Sequence, residues 1–293
     1  MTHSLNRQQA RTAYLFIAVP VILMVIFTLI SVGFAISVSF TDYDIINVPN
    51  WVGISNYLRM LHDPFFLIAL RNTIVYTVLY VVPAYLVSLG TALLMNAKRP
   101  LVGIFRVLFY LPVVASTVAS ATIWSWLFSP QQGLFNAVLR LFGISGPAWL
   151  SDPNWAMIAI VIMSVWAGFG TNMLFFIGGL QGISHDLYDA AHLDGCGRIK
   201  SFFHVTLPGL QHTTFLVTAL LIIGAFQVFD QAYVLTKGGP GNATLTLVYY
   251  IYNAGFSDLH MGYASAMSMV LFAIILVVSL ANARLTNRDR TES

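Results

Sequence analysis

The sequence HDLYDAAHLDGCGRIK occupies positions 185–200 and holds five charged residues. The apolar stretch before it, 155–180, has no Asp, Glu, Lys or Arg, and the stretch after it, 208–235, has a single Asp. Charged side chains are costly to remove from water unless they are paired. The fold must therefore hold 185–200 in contact with water or a partner protein, while its neighbours lie in an apolar environment.

The composition of the whole chain indicates what that environment is. Hydrophobic residues make up 58% of the 293 positions and charged residues only 9%, whereas an ordinary soluble domain has about 25% charged residues. Such a chain cannot cover a water-facing surface. Several apolar runs reach the roughly 20 residues needed to cross the hydrocarbon core of a bilayer. We therefore predict an all-α integral membrane protein surrounded by a lipid bilayer, and exclude a soluble domain.

About six transmembrane helices fit the apolar runs. The predicted spans are 14–40, 65–95, 104–128, 155–180, 208–235 and 261–283. The first run is too long for the apolar part of a cleaved signal peptide, and no clear cleavage site follows it, so we interpret it as a retained helix. No connecting segment is long enough for another domain, and 1–293 is predicted to be a single transmembrane domain.

The distribution of basic residues predicts the orientation, because cytoplasmic loops carry an excess of Lys and Arg. A cytoplasmic N-terminus places ten basic residues inside: Arg7, Arg11, Lys98, Arg99, Arg106, Arg198, Lys200, Arg284, Arg288 and Arg290. It places four outside: Arg59, Arg71, Arg140 and Lys237. Both termini and the charged stretch are then predicted to be cytoplasmic.

Local signals around the charged stretch predict two short helices joined by a glycine bend. Ser184 can cap the first helix with its hydroxyl oxygen. Gly195 follows this helix where glycine commonly ends one. Ile199, Phe202 and Phe203 give the second helix an apolar side, which a merely solvated loop would not require. The stretch is therefore interpreted as an ordered surface.

The same residues resemble the EAA loop of permeases in binding-protein-dependent ABC importers. The family pattern is Glu-Ala-Ala, three residues, Gly, and an ending of the form aliphatic-x-Leu-Pro. Here it reads Asp189-Ala190-Ala191, then Gly195, then Val205-x-Leu207-Pro208. Further matches are Leu111-Pro112, Trp166-x-Gly168-Phe169, and Phe229-Asp230 followed by 233–241. The chain is similar to the first of the two non-identical permeases in maltose-type and glycerol-phosphate-type sugar importers.

This resemblance implies a MetI-like type I ABC permease core and a role for the loop 184–207. In the family the loop is a coupling helix that docks on a cytoplasmic ATPase and transmits its motion to the membrane helices. The positions that carry over are Leu187, Asp189, Ala190, Ala191, Asp194, Gly195, Ile199, Phe203, Leu207 and Pro208. Asp189 replaces the family's Glu and is one methylene shorter, and Cys196 replaces the usual Ala.

The resemblance also implies partners and a location. A second permease completes the pathway as a heterodimer, and two ATPase subunits bind ATP and magnesium. An extracytoplasmic solute-binding protein delivers the solute to the outer loops 41–64, 129–154 and 236–260. The membrane is the bacterial inner membrane. The chain itself is expected to bind no cofactor or metal, to be a transport subunit rather than an enzyme, and to have no nucleic-acid partner.

Small and polar residues inside the spans are candidates for the solute pathway, because such residues face the bundle interior rather than lipid. Helix packing explains them about equally well, since small residues let membrane helices approach closely. The resemblance places solute contacts at Val113, Thr117, Ser164, Gly168, Thr171, Ala225 and Val228, with Asn172 and Gln227 beside them. For Asn172 we favour a hydrogen bond to a neighbouring helix. For Asp230 we favour an ion pair or a place at the outer gate over direct solute contact.

The fourth and fifth predicted spans contain no Lys or Arg, which fits a neutral solute such as a sugar. An anion held by the partner subunit is the alternative. A secondary transporter or channel would predict repeated halves or intramembrane acid–base chains, and a membrane enzyme would predict a catalytic pair within a span. The sequence shows none of these. Its lysines, Lys98, Lys200 and Lys237, do not form a Gly-Lys-Ser/Thr phosphate loop, so the ATPase has to be a separate chain.

Overall fold

The structure is a computed structural model that describes residues 2–97 and 100–288. Its α-helices are α1 (Thr2–Met24), α2 (Ser31–Ser39), α3 (Ser55–His62), α4 (Pro64–Met95), α5 (Val102–Val114), α6 (Thr117–Leu127), α7 (Leu134–Leu141), α8 (Pro153–Gln181), α9 (His185–Leu193), α10 (Arg198–Ser201), α11 (Leu207–Gly209), α12 (Gln211–Phe226), α13 (Asp230–Leu235), α14 (Leu247–Tyr252) and α15 (Met261–Arg288). Short π-helical turns at Val25–Ile30, Phe202–Thr206 and Asn253–Ser257 continue neighbouring helices. The predicted inside residues Lys98, Arg99 and Arg290 lie outside the described residues.

Four helical stretches are long and apolar enough to cross a membrane. They are Thr12–Ser39, Pro64–Met95, Pro153–Gln181 and Met261–Arg284. These stretches agree within a few residues with the first, second, fourth and sixth predicted spans. Two bent helix pairs bring the total in the described part of the chain to six if each pair crosses once. The all-α prediction is confirmed.

The third predicted span, 104–128, is not one continuous helix. The helices α5 and α6 meet at 98°. Ala115 and Ser116 have extended backbones, with ψ of 142° and 130°. Pro112 lies in the last turn of α5, where it removes a backbone donor and weakens the helix. The length of an apolar run does not report a change of direction, so the bend was not predicted, while a single crossing by the bent pair remains a prediction.

The fifth predicted span, 208–235, begins and ends differently from the prediction. The stretch Arg198–Gly209 is bent by 69° from α12, so Pro208 lies before the bend rather than at the start of the span. At the other end α12 stops at Phe226, and Phe229 has a non-helical backbone, with φ of −134°. The separate helix α13 begins at Asp230. Gln227 therefore lies in the break between α12 and α13, and Asp230 and Gln231 lie in the first turn of α13.

The chain divides into two compact units. The first contains the residues up to Asp63 together with Ile251–Val270. In it, Asn56 Nδ2 donates to the carbonyl oxygens of Ser39 and Thr41 at 2.9 and 2.8 Å, which fixes the loop after α2. Tyr263 Oη donates to Asp63 Oδ2 at 2.6 Å. These contacts order the predicted outer loop 41–64.

The second unit contains Pro64–Tyr250 and the residues from Leu271 onward. Its core lies between α4, α8 and α12, and includes Ala84, Met173, Phe176 and Val217. Ser88 Oγ donates to the Ala84 carbonyl of its own helix at 2.6 Å and lies 3.3 Å from the Phe169 carbonyl of α8, where the two helices are in contact. Of the four continuous spans, α8 is the most buried, so it forms the wall against which the candidate site is built.

Candidate functional site

The coupling segment, residues 184–207, leaves α8 as a short helix that ends in a glycine bend. Ser184 Oγ accepts a hydrogen bond from the Asp186 N–H at 3.2 Å and caps α9. At the other end, the Gly195 N–H donates to the His192 carbonyl at 3.1 Å and the Cys196 N–H to the Ala191 carbonyl at 2.9 Å. This pair of bonds is a Schellman motif, which requires a left-handed residue. Gly195 supplies it with φ of +76°.

The outer face of the coupling segment is apolar and exposed. Leu187, Leu193, Ile199 and Phe203 have exposed fractions of 54%, 90%, 77% and 57%. Small and acidic residues lie among them: Asp189, Ala190 and Asp194 are exposed and Ala191 is half-buried. An exposed apolar patch rimmed by polar residues marks a surface for a partner.

The inner face of the coupling segment packs against the core of the second unit, to which the segment itself belongs. Tyr188 and Phe202 pack against the cluster that contains Leu180 and Leu210. The Tyr188 and Thr206 hydroxyls form a hydrogen bond of 3.1 Å. The predicted apolar side of the second short helix is therefore divided, because Phe202 packs inward while Ile199 and Phe203 face outward. Of the last two predicted positions, Leu207 is half-buried and Pro208 is exposed.

A cavity of about 480 Å³ lies between α4, α6, α8 and the break that follows α12. This α4–α8 cavity is lined by Tyr76, Tyr80, Thr117, Ser164, Ala167, Gly168, Gly224, Gln227, Val228, Phe229, Asp230 and Gln231. Five predicted pathway residues are in that set: Thr117, Ser164, Gly168, Gln227 and Val228. Small-molecule sites commonly have volumes of roughly 300–1,000 Å³, so the cavity has the size of a solute site.

The remaining predicted pathway residues have other surroundings. Val113 packs against α8: a methyl carbon added at Gly170 would lie 3.1 Å from Val113 Cγ2. Ala225 is buried in the cluster around Tyr76 and Ile160. Thr171 is half-buried.

Within the part of the chain that the structure describes, the Asn172 side chain bonds to its own helix rather than, as expected, to a neighbouring one. Its Nδ2 donates to the Gly168 carbonyl one turn earlier in α8, at 3.3 Å. A polar side chain in an apolar span can bond to its own helix as well as to another, and the sequence does not distinguish the two.

Two tyrosines on the cavity wall were missed by the sequence reasoning. Tyr76 and Tyr80 are one turn apart on α4, and their rings are stacked with centroids 5.5 Å apart and planes at 6°. A methyl carbon on Gly168 would lie 2.8 Å from Tyr80 Oη. The available signal was the i, i+4 spacing of two phenols inside a span, since a phenol needs a polar neighbour when it is buried.

Asp230 is exposed in the α4–α8 cavity at the first position of α13. Within the described residues its carboxylate forms neither the ion pair expected from the sequence nor a side-chain hydrogen bond. The lining residues include this one carboxylate and no Lys, Arg or His. Asp230 is therefore available to a ligand.

The loop after α2 carries a second acidic position. The Asn50 N–H donates to Asp42 Oδ1 at 2.7 Å, and Asn50 Nδ2 to Oδ2 at 3.2 Å. These bonds favour the ionised form and lower the pKa of Asp42 below its usual value of 3.8. The loop thus presents a negative charge at neutral pH.

Together these features define a multi-pass α-helical membrane protein with a solute-sized cavity and a helical loop exposed for a protein partner. Comparison with known proteins identifies the family. Residues 84–290 match the model of the binding-protein-dependent transport system inner membrane component. The chain belongs to this family. It is a permease subunit of an ABC importer, and its role is transport rather than catalysis.

Individual relatives cover nearly the whole chain. The probable ABC transporter permease protein YurN of Bacillus subtilis is 34% identical, over 95% of this chain and 97% of the relative. The arabinooligosaccharides transport system permease protein AraP of the same organism is 36% identical, over 83% of this chain and 78% of the relative. The lactose transport system permease protein LacF of Rhizobium radiobacter is 34% identical, over 94% of each chain.

A solved structure has the same fold. A chain in the crystal structure of a bacterial ABC transporter involved in the import of the acidic polysaccharide alginate superposes with a TM-score of 0.84. The alignment covers 98% of this chain and 99% of that chain at 19% identity. The predicted type I permease fold is thereby confirmed.

Proposed function

We propose that the chain is one of two permease subunits in an ATP-driven importer of a sugar. The observation that carries the proposal is the exposed apolar face of α9 and α10 on a chain of this family. Such a face is costly in water and is explained by a protein that covers it. Relatives named for arabinooligosaccharides and lactose support a sugar as the solute.

An ATPase is the partner proposed for the coupling segment. Leu187 and Leu193 give α9 apolar contacts, and Ala190 lets another backbone approach closely. One ATPase would dock on this chain and another on the second permease, with ATP and magnesium bound by the ATPases. Closure of the ATPases would move α9, and the contacts of Tyr188 and Phe202 with the core cluster around Leu180 and Leu210 would carry that motion to α8 and α12.

A second, non-identical permease is proposed to cover the first span. In the most hydrophobic 18-residue window of Thr12–Ser39, no residue is buried within the chain. A heterodimer of permeases would use part of this surface and leave the rest to lipid. The loops 41–64, 129–154 and 236–260 are proposed to face a solute-binding protein outside the cell, with both termini in the cytoplasm of a bacterium.

The test is reconstitution with the proposed partners. The chain, its second permease and the ATPase are purified as one complex in lipid nanodiscs, and ATP hydrolysis is measured with and without sugar-loaded binding protein. We expect stable co-purification and stimulation of several-fold. Two outcomes would contradict the proposal. One is transport by the chain without any ATPase, and the other is an ATPase activity that no sugar-loaded binding protein stimulates.

A further inference from the structure

We propose that the α4–α8 cavity selects an uncharged sugar unit, with Tyr76 and Tyr80 as an aromatic wall and the Asp230 carboxylate as the group that accepts sugar hydroxyls and repels acidic sugars. The inference rests on the proposed function. It adds the charge class of the solute and the residues that recognise it.

The charge of the lining is the first argument. Asp230 is exposed in the cavity, and within the described residues no basic side chain neutralises it. An ionised carboxylate accepts hydrogen bonds and cannot donate them, so it suits the hydroxyl groups of a neutral sugar. A uronate or sulfonated sugar would bring a second negative charge close to it, and like charges at an interface suppress the wrong ligand.

The tyrosine pair is the second argument. Tyr76 is 2% exposed, and its ring is stacked parallel to that of Tyr80. This packing holds Tyr80 in place, because one of its faces is occupied by Tyr76. The half-buried remainder of Tyr80 faces the cavity, where it offers both an apolar edge and a hydroxyl. A phenol of this kind combines a large contact surface with one polar group, as the apolar and polar parts of a sugar ring require.

The polar groups opposite the tyrosines are the third argument. Ser164 Oγ donates its proton to the Ile160 carbonyl at 2.8 Å and is hydrogen-bonded to the Tyr76 hydroxyl, so towards a ligand it can act only as an acceptor. Thr117 and Gln227 can both donate and accept, and they lie on two other elements. Hydroxyl and amide groups converge on one space of about 480 Å³. A cavity whose only role was helix packing would not bring them together.

Saturation-transfer difference NMR tests the selectivity, because it detects weak ligands directly. The whole transporter in nanodiscs, without its binding protein, is offered neutral maltotriose or acidic tri-galacturonate. We expect saturation transfer to the neutral sugar and about tenfold less to the acidic one. Asp230→Asn is expected to raise the acidic signal severalfold. Tyr80→Ala is expected to reduce the signals of the neutral sugar's ring protons.

Asp258→Asn is the matched control, since Asp258 is also exposed but is not among the lining residues. It should leave both signals unchanged. Equal transfer to both sugars, no transfer to the neutral sugar, or no effect of Asp230→Asn would overturn the inference. Suppose that an acidic sugar gives a strong signal and that the binding protein loaded with it stimulates the ATPase. The importer function would then stand, but the proposed selectivity of the cavity would be wrong. Lack of stimulation by any sugar would instead remove the proposed function itself.

Discussion

Gly195 has a backbone conformation that branched side chains resist. Its φ of +76° lies in the left-handed region, and no atom lies within 4 Å of an added methyl carbon, so strain rather than collision opposes substitution. Gly195→Val should cost roughly 1–2 kcal/mol or more at the end of α9. We expect the complex to insert and assemble, while stimulation of the ATPase by loaded binding protein falls severalfold.

Gly195→Asn is the matched control, because Asn tolerates the left-handed region better than other side chains. It should retain most of the stimulation. Normal uptake and stimulation by Gly195→Val would show that the coupling segment does not depend on this bend.

Gly168 and Tyr80 form the second residue-scale pair. A methyl carbon at Gly168 would lie 2.8 Å from Tyr80 Oη. Gly168→Ala should therefore displace the phenol and reduce uptake, and Tyr80→Phe should remove the obstructing oxygen. In a double-mutant cycle based on uptake rates, we expect an interaction energy of about 0.5–3 kcal/mol between the two substitutions, since the effects of substitutions at contacting residues do not add. Additive effects with correct assembly would mean that the two residues act separately.

Some residues of the candidate site could be predicted from the sequence and others required the structure. Gly195 could be predicted, because a helix end followed by glycine has a local cause. Ser164 and Gly168 could be proposed because both are small residues within an apolar span and Ser164 is also polar. The i, i+4 spacing of Tyr76 and Tyr80 marks them as neighbours on one helix face, but an aromatic residue in a span is equally consistent with contact to lipid. Only the packing of α4 against α8 shows which side the pair faces.

At the scale of elements, the structure differs from the sequence-based prediction at two helix breaks. One lies between α5 and α6 and the other follows α12. Hydropathy measures how far an apolar run extends, and it predicted the limits of the four continuous spans to within a few residues. It does not report direction, so the 98° bend at Ala115 and Ser116 was not foreseen. The breaks also contribute to the cavity: Thr117 begins α6, and Gln227 and Asp230 lie in or beside the gap before α13.

The helix α9 provides the element-scale prediction. Its position depends on Tyr188, whose hydroxyl bonds to Thr206 Oγ1 at 3.1 Å. A neutral hydrogen bond contributes about 0.5–1.5 kcal/mol. Tyr188→Phe should therefore leave assembly intact and lower ATPase stimulation two- to tenfold. Tyr14→Phe, at a phenol that is 74% exposed, is the control and should behave as the unmodified chain. Equal behaviour of the two variants would show that the hydroxyl does not position α9.

The orientation of the whole molecule gives the last prediction. At about 1.5 Å per residue, the 29 residues of α8 extend about 43 Å, more than the roughly 30 Å of the hydrocarbon core. Ser145, which is exposed before α8, and Cys196, which is half-buried after it, should therefore lie on opposite sides of the membrane. The excess of basic residues on the side of Cys196 predicts that this side is cytoplasmic. In spheroplasts, a membrane-impermeant maleimide should label Ser145→Cys in a Cys196→Ala background, whereas native Cys196 should be labelled only after permeabilisation. The reverse pattern would invert the topology, and labelling of both from one side would mean that α8 does not cross the membrane.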